Sequence, residues 1–96
     1  MVQNIIGLQG NAVVNQFVIN TEKAIYFQSY RSVVCRIDRQ TKQVVLSSHW
    51  DYSTTTSKYL YKFLRDNGID VYSKKDVLSK IKSTEFIEIE NHSIEL

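Results

Sequence analysis

The sequence has no proline, one cysteine, three glycines and no long apolar run, and each shortage removes something. Without proline, a repeat or a low-complexity stretch, nothing marks a linker, so residues 1–96 read as a single domain. With Cys35 alone, an internal disulfide is impossible and a four-cysteine zinc site is excluded. No segment approaches the roughly 20 apolar residues that cross a bilayer. The first ten residues lack the basic start and apolar core of a secretion signal. Together these absences point to a reducing, cytoplasmic setting away from membranes. His49 and His92 are too few and too far apart in sequence for a metal site. No nucleotide-binding motif is present either, so neither metal nor cofactor is expected.

What the chain does have is ordinary apolar content, six tyrosines and an uneven charge. Residues 1–84 carry all twelve Lys and Arg against six acids, a balance of +6, while residues 85–96 carry four glutamates and no cation. A basic body with an acidic tail suits a polyanionic partner. The simpler reading is that the tail glutamates face water or pair with nearby lysines.

The first half reads as strand. Ile5–Leu8 is a short apolar run, and Gln9-Gly10-Asn11 supplies a tight reversal. Val13–Asn20, Ala24–Phe27, Val33–Asp38 and Val44–Leu46 are rich in β-branched and aromatic residues. Polar breaks at 21–23 and 39–42 separate them, which predicts an antiparallel meander of four or five strands. The polar stretch Gln28–Ser32 predicts a bulge or a tight loop.

The remainder turns helical. Ser53 or Thr54 is the expected N-cap, and Thr56, Leu60, Phe63, Leu64 and Asn67 fall on one helical face. Gly68 suits the left-handed residue that ends a helix, with Ile69 folding back on Leu64. A second helix is expected from Ser73, with Asp76 three residues on, Tyr72 and Val77 as a hydrophobic staple, and Val77, Leu78 and Ile81 as its apolar stripe. Phe86–Glu90 alternates apolar and acidic residues and predicts a final strand, paired with the meander or with another molecule; that second option is a route to a homodimer. The expected class is α+β: a small antiparallel meander on one main helix, with a short second helix and a C-terminal strand.

Three groups of residues invite a chemical reading. Ser53, Thr54 and Thr55, followed by Lys58, would make an anion site at a helix N-terminus, although a single capping hydroxyl explains them as well. His49 and Asp51 lie close to Ser53, and Cys35 is an alternative nucleophile, but no nucleophile-elbow or cysteine-protease signature accompanies them. The reading is therefore non-enzymatic. Tyrosines interleaved with cations, above all Lys58, Tyr61, Lys62 and Arg65 on the expected solvent face of the main helix, suit a contact surface. Tyr30, Arg31, Trp50 and Tyr52 extend that surface, with Trp50 equally suited to plug the core.

The strings Tyr26-Phe27-Gln28-Ser29-Tyr30, Trp50-Asp51-Tyr52-Ser53 and Thr55-Thr56-Ser57-Lys58-Tyr59-Leu60 with Phe63-Leu64 resemble an uncharacterised family of small proteins from bacteriophages and other mobile elements of low-GC Gram-positive bacteria. The resemblance covers residues 24–65. It implies a phage-type accessory protein in a bacterial cytoplasm, acting by stoichiometric binding to a host protein or nucleoprotein, for example as an inhibitor of a defence system such as CRISPR. A basic nucleic-acid-binding module is the alternative, distinguished by steep weakening in salt.

Overall fold

The structure is a computed structural model and describes residues 1–7 and 10–96. Leu8 at the end of the first expected strand and Gln9 of the expected reversal lie outside the described residues. Strands β1 (Val2–Ile6), β2 (Ala12–Asn20), β3 (Ala24–Ser29), β4 (Ser32–Asp38) and β5 (Val44–Leu46) follow one another antiparallel in a sheet. Helices α1 (Thr54–Asp66) and α2 (Lys74–Lys82) then carry the chain to β6 (Phe86–Glu88), which adds to β5 in parallel. A parallel neighbour needs such a crossover, and the two helices provide it. The meander therefore has five strands, the final strand pairs within the molecule, and the α+β class holds.

The Gln28–Ser32 stretch contains both features its composition suggests. Ser29 faces Ser32 across a two-residue loop, in which Tyr30 adopts a left-handed φ of 56°. The register slips at Phe27/Gln28, so Val33 and Val34 are both buried although they are neighbours. The slip sends Val34 to the helix side with Phe27 and Cys35, and Val33 to the opposite side with Tyr26. At the other end of β4, the Asp38 carboxylate accepts the backbone N–H groups of Gln40 and Thr41 at 2.9 Å, closing the polar turn into β5.

Helix α1 starts where a hydroxyl permits. Ser53 is the cap, its Oγ accepting the Thr56 N–H. The helix stops in a Schellman arrangement: Gly68, at φ 80°, donates to Arg65 and Ile69 donates to Leu64. Thr56, Leu60, Phe63 and Leu64 are buried as their spacing requires. Asn67 is not; it is exposed and its amide caps the helix by donating to the Phe63 carbonyl at 2.8 Å. Two expectations for α2 also change. Tyr72 is 67% exposed and lies under the Arg65 guanidinium rather than stapling Val77, and Leu78 is exposed, leaving Val77 as the buried residue of this helix. Val71, fully buried, makes the anchoring contact before the helix instead.

The helices cover one face of the sheet, over Phe27, Cys35, Val44 and Leu46. The other face is crossed by the tail. Ile89 donates to Leu46, Asn91 accepts from Ser48, Ser93 Oγ accepts from Val33, and Ile94 donates to the Val33 carbonyl. Ile94 then packs with Ile19, Ala24, Tyr26 and Val33 as a second, smaller apolar cluster. Among the described residues, no helix is long and apolar enough to cross a membrane.

Candidate functional site

At one end of the sheet the β3–β4 turn comes up against the start of α1. A buried hydroxyl chain joins them. Ser29 Oγ lies 2.8 Å from Thr56 Oγ1, which accepts the Ser53 hydroxyl at 3.1 Å. Ser29 and Thr56 are each only 3% exposed, so the bond between them forms away from water and fixes the turn on the helix. The Tyr30 N–H donates to the Asn15 carbonyl at 2.7 Å, tying the same turn to β2. Between turn and helix lies a cleft of about 440 Å³, bordered by Tyr30, Arg31, His49, Tyr52 and Thr56. Among the described residues no carboxylate lines it, and those residues present a guanidinium, an imidazole and several hydroxyls.

The rim of this cleft is aromatic and open. Tyr30 is 50% and Tyr52 74% exposed. Tyr52 stacks on His49 with ring centres 4.7 Å apart, and His49 stacks in turn on His92 of the tail at 3.9 Å. This second stack could not be anticipated, because the two histidines are 43 positions apart and meet only when the tail crosses the sheet. Large, half-rigid aromatic side chains held in this way lose little entropy when a partner covers them.

The remaining expected contact residues divide. Trp50 is a correction: it is 2% exposed, lies in the main core, and its indole N–H donates to the Glu88 carboxylate at 2.7 Å. It is the core plug and presents no surface to a partner. The face of α1 is also less open than its spacing suggests. Lys58 and Arg65 are exposed, but Tyr61 is half-buried against the core and Lys62 is half-buried and bonded to Asp66 at 2.7 Å. Burial pushes the Tyr61 hydroxyl above its ordinary pKa, so it remains a neutral donor. Lys58, Tyr61, Arg65 and Tyr72 border a separate shallow groove with Thr54 and Ser57. Arg65 is held there by the Val71 carbonyl and the Tyr72 ring.

Of the hydroxyls expected to bind an anion, Ser53 is occupied as the cap, while Thr54 and Thr55 face solvent. The three groups with nucleophile or base chemistry go to different places. Cys35 is fully buried in the core, where burial drives its thiol far above the ordinary pKa and keeps it protonated. His49 lines the cleft, and Asp51 is bridged to Lys74 of α2 at 3.0 Å. Among the described residues, no three His, Cys, Asp or Glu side chains gather as metal ligands.

A family of unknown function, DUF8033, matches residues 1–80. The chain belongs to the DUF8033 family. The matched span includes the five antiparallel strands, α1 and the cleft residues Tyr30, Arg31, His49, Tyr52 and Thr56. His92 and the rest of the tail follow it. No curated protein and no solved structure matches the chain.

Proposed function

We propose that this DUF8033 protein is a binding protein rather than an enzyme, and that it docks stoichiometrically on a host protein or nucleoprotein in a bacterial cytoplasm. The observation that carries this reading is the rim of the cleft. Tyr30, Arg31 and Tyr52 come from two separate loops yet lie around one concavity, braced from beneath by Ser29 and Thr56. Exposed tyrosine and arginine around a preformed recess are the residue types that dominate protein interfaces. The phage-type context is what the resemblance carried by the FQSY, WDYS and TTSKYLYKFL strings implies, and an inhibitor of a host defence system is the role that context favours. The cleft, with an arginine and no acid, favours an acidic partner surface.

The experiment is retention of a partner from bacterial lysate on immobilised protein, identified by mass spectrometry and repeated with Tyr52→Ala and Arg31→Ala. Both side chains are exposed, so the variants should fold as the parent does. Partner retention should fall at least tenfold for Tyr52→Ala. If no partner is retained at micromolar protein, or if both variants retain it as well as the parent, the reading fails.

The alternative is nucleic-acid binding along α1, supported by Lys58 and Arg65 beside Tyr72 in one groove. Its signature is different. Phosphate contacts would give affinity that drops steeply with salt and is reduced by Lys58→Ala and Arg65→Ala, with Tyr52→Ala having no effect.

A further inference from the structure

The edge of the sheet opposite β6 is β1, whose sequence lacks the charges and proline that normally keep an edge strand from pairing; the β1–β2 register slips between Asn4 and Ile6, with the extra residues on β2. Residues 1–6 contain no lysine, glutamate or proline. The backbone phase of β1 is fixed at both ends. Met1 and Asn20 exchange N–H and C=O bonds at 2.7 Å, and Gly7 donates to Asn11 at 2.9 Å. An antiparallel strand alternates the direction of its polar groups, so Val2, Asn4 and Ile6 turn theirs away from β2. Their side chains share the face opposite the helices, because Ile5 between them enters the helix-side core. Val2 and Ile6 are 60% and 52% exposed.

We propose that β1 pairs antiparallel with β1 of a second copy of this chain, about a two-fold axis through Asn4. The strand is self-complementary in that register. Val2 of each copy faces Ile6 of the other, and Asn4, whose amide donates to the Val13 carbonyl of its own chain at 3.0 Å, faces Asn4, so apolar groups meet at both ends and no charge meets its like at the centre. Each facing pair exchanges both of its backbone hydrogen bonds, because Val2, Asn4 and Ile6 are the residues whose groups point outward. No side-chain charge in the segment opposes its own copy, whereas an unrelated extended segment would match this spacing only by chance. Two six-stranded sheets become one continuous sheet, and none of the cleft residues takes part in the contact. The paired edge is short compared with a standard interface of about 1,600 Å², so the dimer forms reversibly with concentration.

The test is sedimentation equilibrium on the parent chain over a wide concentration range, with Val2→Lys and the double variant Val2→Lys/Ile6→Glu. The parent should associate to a dimer. Val2→Lys should lose at least tenfold in association, and the double variant should regain it, since each introduced lysine then faces the introduced glutamate of the other copy. Hydrogen exchange on the unmodified chain gives an independent reading, with the amides of Val2, Asn4 and Ile6 becoming more protected as concentration rises. A chain monomeric throughout, a dimer indifferent to Val2→Lys, a failure of the double variant to recover, or protection of this edge only by an added partner's segment would each overturn the pairing.

Discussion

Removing the Thr56 hydroxyl tests whether the cleft is built or incidental. Thr56→Val keeps the β-branched shape and nearly the same volume, so packing is preserved while the hydrogen bonds are lost. Ser53 still receives the backbone N–H of residue 56 and, being half-buried, can turn its own hydroxyl to water. Ser29 has no such recourse at 3% exposure, and its hydroxyl is stranded. An unsatisfied buried hydroxyl costs about 1–3 kcal/mol. For a domain near this length each kcal/mol lowers Tm by roughly 4–8 °C, so the variant should melt well below the parent. Ser29→Ala in the same background removes the stranded group and should recover much of the loss, giving a coupling energy of about 1 kcal/mol or more. The assay is urea unfolding followed by tryptophan fluorescence, which the buried Trp50 reports. A Thr56→Val chain within about 0.5 kcal/mol of the parent, or strictly additive single variants, would show that the hydroxyl chain does not brace the turn.

Three further outcomes follow from other parts of the fold. Gln16 is fully buried beside Ser29, and its amide has no hydrogen-bond partner among the described residues, so Gln16→Met should raise stability by about 1 kcal/mol in urea unfolding. The Asp38 carboxyl is held below its ordinary pKa, chiefly by the Thr41 backbone N–H, which outweighs the opposing effect of desolvation, with smaller lowering contributions from the Gln40 N–H, the Thr41 hydroxyl and Arg36. A folded pKa below the unfolded one contributes stability that is present above the unfolded value and lost as pH falls through the folded value, so the acid limb of Tm against pH should flatten in Asp38→Ala. Ile94→Ala should cost about 2 kcal/mol, the low end for a buried isoleucine because Ile94 lies at the margin of the smaller cluster, and an unchanged urea midpoint would mean that the tail does not hold the second face.

How much of this was legible beforehand depended on whether a signal was local. The α1 cap, its buried stripe apart from Asn67 and its Gly68 ending are all decided within a few residues of one another, and the sequence pattern located them correctly. Errors came where a residue's fate depends on a distant segment. Trp50 has the composition of an interface anchor, yet it packs into the main core, where Glu88, 38 positions later, accepts its indole N–H. Tyr72 has the position of a staple, yet Arg65 at the end of α1 offers its ring a cation and keeps it outside. Tyr61 lies on the polar side of the helix by spacing alone, but it is drawn against the core; the Lys62–Asp66 pair, four residues apart on the same helix, is by contrast a local feature within reach of the sequence pattern. The cleft could not be read in advance, because Ser29 and Thr56 carry no motif and matter only through their 2.8 Å meeting.

The tail shows how the same limitation extends to function. By composition, residues 85–96 are an acidic appendage. In the fold they are a strap: Glu88 closes over Trp50 on the helix side, Ile89 and Ile94 cover the far side, and His92 stacks beneath His49 at the cleft rim. The strap thus touches both faces of the sheet and one wall of the cleft. Ile94 anchors it in the Val33 cluster, while His92 contributes to the support of the aromatic rim. A change confined to Ile94 should therefore loosen the His49–Tyr52 stack without touching either ring. Stability and docking are linked through this segment, so loss of partner retention in an Ile94 variant reports a displaced rim and identifies no contact residue. Tyr52→Ala, which leaves the strap intact, isolates the contact.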